Sequence, residues 1–175
     1  MTDTRELNRD PHHLIDWFDD FNGPHPFVFL SNFYEGHPVE WEDFTFPTTE
    51  HAFAWAKVDR SHPDAVSWLG LIREAEGPAA AKVLGRACPL DPEWEATKFG
   101  VMQRIVWQKF TQHPDLAALL DGTGHAHLQE GTYWDDRVWG VDLTSHDDPM
   151  QRAGGNWLGM ILMDTRSRLR LGGGR

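Results

Sequence analysis

Glu50 and Lys57 stand seven residues apart in the run EHAFAWAKV, which follows Pro47-Thr48-Thr49. Seven residues are nearly two turns of an α-helix, so both side chains lie on one face, with Phe53 and Ala54 between them. A small Ala there leaves room for a ligand beside the two polar heads. The remainder of the segment (Ala52, Phe53, Ala54, Trp55, Ala56, Val58) is apolar, which implies partial desolvation of the pair. Burial raises a carboxyl pKa and lowers an amine pKa, while attraction between the two works the other way. Such a pair can move a proton or present a neutral amine as a nucleophile. An exposed ion pair on a helix fits the same spacing.

A second constellation is Glu130 with Asp136-Arg137-Val138-Trp139-Gly140. Carboxylates accept from ribose hydroxyls, and Trp139 offers a stacking face for a sugar or planar base. A hairpin with a buried Trp and a turn Asp fits equally. A third is Gly154-Gly155-Asn156-Trp157-Leu158-Gly159 ahead of the last helix. Free backbone N–H groups at a helix start can hold an anion, although a Gly-rich connection with an Asn cap accounts for the same residues. His125 and His127 would point the same way from a strand, but no third ligand has matching spacing, so no metal is expected. Cys88, in an Ala/Leu/Pro setting, reads as packing. As the single Cys it excludes an internal disulfide, which fits a reducing compartment. The motifs G-x-x-x-x-G-K-[ST], G-x-S-x-G and a strand-linked G-x-G-x-x-G are missing, and with them the marks of nucleoside triphosphate hydrolysis, α/β-hydrolase and Rossmann chemistry.

The elements that must position these residues follow from period and punctuation. Phe27–Tyr34 (FVFLSNFY) reads as a buried strand, and it forms a hairpin with Val39–Phe46 across Gly36 and Pro38, with a register slip near Asp43. Thr48 or Thr49 caps a helix that runs to about Val58. Ser61 caps the next, with Pro63 near its start and Asp64 complementing its dipole. Gly77-Pro78 opens an Ala-rich helix that stops near Gly85. The longest helix spans about Pro92 to Thr111 with Trp94, Val101, Ile105 and Phe110 on one face. Pro114 starts a short helix ending before Gly122. One or two short strands lie between His125 and Asp142, and a final helix covers Asn156–Arg170. The expected architecture is a mainly helical α+β single domain with a small sheet. Residues 1–26 are expected to be a loosely attached extension, with Leu14, Ile15, Trp17 and Phe18 in one amphipathic turn, and residues 171–175 a flexible tail.

With 16 Lys+Arg against 27 Asp+Glu, the 175-residue chain carries a net charge of −11. That disfavours a long nucleic-acid duplex lying across the protein. A local basic patch from Lys82, Arg86, Arg104 or Arg137 can still seat phosphates. No apolar run approaches the roughly 20 residues that span a bilayer, and the polar first 20 residues lack a signal core. A soluble cytoplasmic protein without a membrane partner is expected.

Six segments in order carry a family pattern: Phe29-Leu30-Ser31-Asn32-Phe33-Tyr34; Pro47-Thr48-Thr49-Glu50-His51-Ala52-Phe53 with Lys57; Lys82-Val83-Leu84-Gly85-Arg86; Lys109-Phe110; Asp136-Arg137-Val138-Trp139-Gly140; and Gly154-Gly155-Asn156-Trp157-Leu158-Gly159 with Leu162-Met163 and Arg166. Over about residues 27 to 170 the chain resembles the NADAR family, including its YbiA-like single-domain members. The resemblance implies an N-glycosidase that removes ADP-ribose from modified guanine, in a nucleotide or in nucleic acid, or hydrolyses ribosylaminopyrimidine phosphate intermediates of riboflavin synthesis. It implies Glu50 and Lys57 as catalytic residues and Ser31, Asn32, His51, Trp94, Glu130, Asp136, Trp139, Gly140 and Asn156 as substrate-binding ones. It calls for no cofactor and no metal. On this reading Lys57 attacks C1′ and passes through a Schiff base while Glu50 moves the proton. One departure is Asp142, where the family often has Gly, so the loop after Trp139 and the choice of substrate can differ. The rival reading is a non-catalytic module that binds ADP-ribose or a nucleotide in the same pocket.

Overall fold

The computed structural model describes residues 14–16, 18, 25–134 and 136–172. Helices dominate, with short strands in two-stranded pairs, so the class is α+β. The chain divides into two compact units, one formed by residues 32–113 and the other by the chain before residue 32 together with residues 114–175.

The unit of residues 32–113 is built around α1 (Thr49–Ala56). Thr48 is extended and its hydroxyl accepts from the His51 N–H, which caps the helix. Every residue from Thr49 to Trp55 is buried, so α1 is a core helix rather than an amphipathic surface one. It packs on α2 (Ala65–Arg73), α3 (Pro78–Ala87) and α4 (Trp94–Gln112), and on the hairpin of β2 (Val39–Trp41) and β3 (Phe44–Phe46). Phe46 and Trp55 meet edge to face at 5.2 Å. Full burial of each such side chain contributes about 1.5–3 kcal/mol.

The hairpin differs from the expected one. Val39 pairs with Phe46 and Trp41 with Phe44. Glu42 and Asp43 form the two-residue turn, at φ 46° and 65°. The irregularity near Asp43 is thus the turn itself, of the left-handed kind that matches strand twist. Phe27–Tyr34 is not its partner: Val28–Leu30 form a 3-10 turn. Phe29 and Leu30 are consecutive and both buried, which a strand with one covered face would not allow, and a short apolar run does not separate the two by periodicity.

The other unit joins both ends of the chain. Here α5 (Pro114–Gly122) packs on α6 (Trp157–Gly172). Two parallel pairs complete it: β1 (Leu14–Ile15) with β4 (His127–Leu128), and β5 (Gly131–Thr132) with β6 (Val141–Asp142). The expected amphipathic turn at Leu14–Phe18 is corrected at Leu14–Ile15 by this pairing. The Ile15 carbonyl accepts from Gln129 N at 2.8 Å, Asp16 pairs with Arg152 at 2.7 Å, and Ile15 and Phe18 are buried. At the other terminus α6 continues through Leu171 and Gly172, two residues into the expected tail, and residues 173–175 lie outside the described ones.

Candidate active site

The Glu50–Lys57 spacing survives folding, although α1 ends one residue before Lys57. Lys57 is the C-cap residue and keeps helical angles, φ −74° and ψ −21°, so the seven-residue register carries both heads along one face. Glu50 is buried, and its N–H donates to the Asn32 carbonyl at 3.0 Å. The Asn32 amide itself reaches the Met102 sulfur at 3.5 Å. Lys57 Nζ lies 4.9 Å from the centre of the Phe53 ring and 6.0 Å from that of Trp94, two rings that contact one another at 5.0 Å. Burial holds the Lys57 ammonium below the usual lysine range. Glu50 pulls it back up, and Lys82 and Arg86 push it further down. The neighbouring Cys88 thiol is pushed up by burial, with Lys57 opposing, which fits packing rather than nucleophilic use.

Gly85 makes this corner possible. A Cβ there would stand 2.7 Å from Ala54 Cβ and 3.6 Å from Lys57 Nζ. The helix α3 therefore reaches α1 at Gly–Ala contact distance, and this carries Lys82 and Arg86 toward Lys57. The sequence reading missed that role; the signal was a Gly inside an Ala-rich helix.

His51 is held within the frame at the start of α1. Its ring bridges Thr48 Oγ1 at 2.8 Å through Nδ1 and the Ala75 carbonyl at 3.2 Å through Nε2. A carbonyl only accepts, so Nε2 carries the proton and Nδ1 accepts from Thr48. Burial lowers its pKa, so the neutral ring pins the start of α1 to the end of α2. His51 has no exposed surface and both its nitrogens are engaged within the frame.

In the other unit the second and third constellations form one knot. The Asp136 carboxylate accepts from the N–H groups of Val138 and Trp139 at 3.3 and 3.1 Å, so it shapes the loop that carries Trp139. Asn156, at φ 49°, accepts from Glu130 N at 3.0 Å and donates to the Leu128 carbonyl at 2.9 Å. Both ends of its amide hold the 128–130 main chain, so Asn156 positions that segment. The N–H groups of Gly155, Asn156, Trp157 and Leu158 donate to the carbonyls of Arg137, Gly140, Val138 and Trp139. The anion site expected at the start of α6 is thereby excluded, because its donors are used. A Cβ at Gly140 would overlap the Glu130 carbonyl, and one at Gly159 the Leu128 carbonyl. Ser31 ends the 3-10 turn, its N–H donating to the Val28 carbonyl at 3.0 Å.

The NADAR domain model matches residues 20–170. The chain belongs to the NADAR family. The matched region starts seven residues ahead of the boundary read from the sequence. Over 143 residues the chain is 35% identical to N-glycosidase YbiA of Escherichia coli (strain K12), with 80% of each chain covered. It is 31% identical over 152 residues to the riboflavin biosynthesis protein PYRR, chloroplastic, of Zea mays, covering 80% of this chain and 23% of that protein. The NMR structure of the E. coli protein YbiA superposes with a TM-score of 0.73 at 30% identity, over 95% of this chain and 93% of that one.

Within this NADAR domain the other expectations fall as follows. Asp142 accepts from Thr144 N and Oγ1 at 2.9 and 2.7 Å and pairs with Arg137 at 3.4 Å. Those bonds, Thr144 first, hold its carboxyl below the usual range. The departure from Gly thus buys a closed turn after β6. Arg104 sits over the Trp41 ring at 5.2 Å, so of the four cations read as a phosphate patch only Lys82 and Arg86 gather at Lys57. His127 lies in β4, its pKa lowered by burial and then by Arg166, and among the described residues no group of three His, Cys, Asp or Glu is arranged to hold a metal ion. No helix among them is long and apolar enough to cross a membrane.

Proposed function

We propose that this NADAR domain is an N-glycosidase that cleaves the C1′–N bond of a ribosyl compound, with Lys57 as nucleophile and Glu50 as proton carrier. The observation that carries the proposal is an amine desolvated among Phe53 and Trp94, with a buried carboxylate on the same helix face. The names of the relatives, N-glycosidase for one and riboflavin biosynthesis protein for another, support the same reaction class.

The neutral Nζ lone pair attacks C1′, and the C1′–N bond breaks with its electron pair going to the leaving nitrogen. The new Nζ–C1′ ammonium gives a proton to Glu50, which delivers one to the departing base. The Nζ lone pair then expels the ring oxygen, which takes up a proton, and a Schiff base to Lys57 remains. Water adds to its carbon and the C–Nζ bond breaks, returning the free amine and the sugar aldehyde. One water is consumed, and no redox partner is needed.

The candidate substrates are a ribosylaminopyrimidine phosphate and ADP-ribosylated guanine. The net charge of −11 favours a nucleotide-sized compound over an extended duplex. The test is incubation with a ribosylaminopyrimidine phosphate and with ADP-ribosylated guanosine, with mass detection of released base and borohydride added during turnover. Base release and a reduced sugar adduct on Lys57 are expected. Absence of base release from both would leave a binding module. Release without an adduct, together with near-normal activity of Lys57→Ala, would refute the covalent route.

A further inference from the structure

Among the described residues, seven cations are matched to a carboxylate. Arg60, Arg73, Lys98, Arg137, Arg152, Arg168 and Arg170 each make an ion pair. Among the described residues, no hydrogen bond or ion pair engages the heads of Lys57, Lys82 or Arg86. These three converge. Lys82 and Arg86 are four residues apart on α3 and so share a face, and Gly85 between them abuts Ala54 and Lys57 Nζ. Lys82 Nζ lies 5.3 Å from the centre of the Phe33 ring. Lys82 and Arg86 both act electrostatically on Lys57. Glu50 faces Lys57, but Lys82 and Arg86 make no ion pair of their own among the described residues; like charges repel, and a bound anion removes that cost.

We infer that Lys82 and Arg86 form the receptor for the phosphate on the ribose 5′ carbon of the substrate, set beside the amine that attacks C1′. The inference deepens the N-glycosidase reading and rests on it for the identity of the sugar. A guanidinium takes a phosphate in two parallel bonds, and an ammonium adds a point charge. A phosphate seated there fixes the ribose from its far end, which sets C1′ against Lys57 and excludes sugars without the anion. The phosphate can be a monoester or one end of a pyrophosphate.

Two measurements test this. Calorimetry with ribose 5-phosphate, ribose and ADP-ribose reads the phosphate site whether or not chemistry occurs. Ribose 5-phosphate should bind at least tenfold tighter than ribose, and Lys82→Gln and Arg86→Gln should each cut that preference by roughly ten- to hundredfold or abolish it. Arg104→Gln, which removes an equal charge over Trp41, should leave the preference as in the wild type. ADP-ribose binding tighter than ribose 5-phosphate assigns a pyrophosphate, and the reverse a monoester. Equal binding of ribose and ribose 5-phosphate, or a preference that the Lys82→Gln/Arg86→Gln double variant retains, overturns the inference. In turnover, the ratio of kcat/KM for phosphorylated over dephosphorylated substrate should fall in both variants through KM. A phosphate preference without any base release would instead sink the N-glycosidase reading and leave the receptor standing.

Discussion

Lys57 is governed by opposing effects of unequal size. Burial lowers its pKa and outweighs the attraction of Glu50, and Lys82 and Arg86 add to the burial. Its reductive methylation should therefore follow pH with an inflection below the ordinary lysine value of 10.5. Glu50→Gln removes the upward pull and should move that inflection lower still. An inflection at or above the ordinary value, or one that Glu50→Gln leaves in place, contradicts the geometry. The linkage to stability has a definite sign. The unfolded chain holds its proton up to the ordinary value, while the folded chain releases it earlier. Stability thus rises with pH between the two values, and Lys57→Met should flatten that rise in urea titrations across the alkaline range. At the same scale, His51 keeps both nitrogens engaged. His51→Ala should cost about 2–4 kcal/mol through an emptied core site and an unpaired Ala75 carbonyl. Denaturant unfolding checks it, and a change under 0.5 kcal/mol would deny the pin.

At the scale of elements, the approach of α3 to α1 depends on Gly85. An Ala at that position gains about 1 kcal/mol of helix propensity. The added Cβ, however, would stand 2.7 Å from Ala54 Cβ and 3.1 Å from its Cα. Overpacking of that kind costs typically about 1–3 kcal/mol, so Gly85→Ala should be neutral to destabilising and should shift the Lys57 inflection as the helices part. A more stable variant with an unchanged inflection would show that the contact is soft. The start of α6 illustrates the converse. Its donors already serve the loop carbonyls of residues 137–140, so a glycine-rich helix start became a rigid joint rather than an anion site.

Across the whole chain, one unit draws its strands from residues more than a hundred positions apart. Leu14 pairs with His127 and Ile15 with Leu128, and Ile15 is 3% exposed. Ile15→Ala should lose about 2–5 kcal/mol if that unit packs on β1 as a core element. A loosely held segment would show no change in the melting temperature.

The family was legible in the sequence, because the Glu50–Lys57 register, the Pro-Thr cap and the six ordered motifs are local patterns. The helices from α1 to α6 were legible for the same reason, with ends misplaced by one to a few residues. The hairpin turn at Glu42-Asp43 was not, since Glu42 gives no signal of a left-handed backbone and Asp43 lacks the following Gly that usually marks such a turn. Nor was the partner of each polar group. His51, Asn156 and the N–H groups of residues 155–158 look available in one dimension, and each is used by a main-chain or side-chain partner that only packing brings near. Hydrogen-bond satisfaction and close helix approach depend on contacts between distant segments, so tertiary structure alone decided which candidate polar groups are already engaged by the frame.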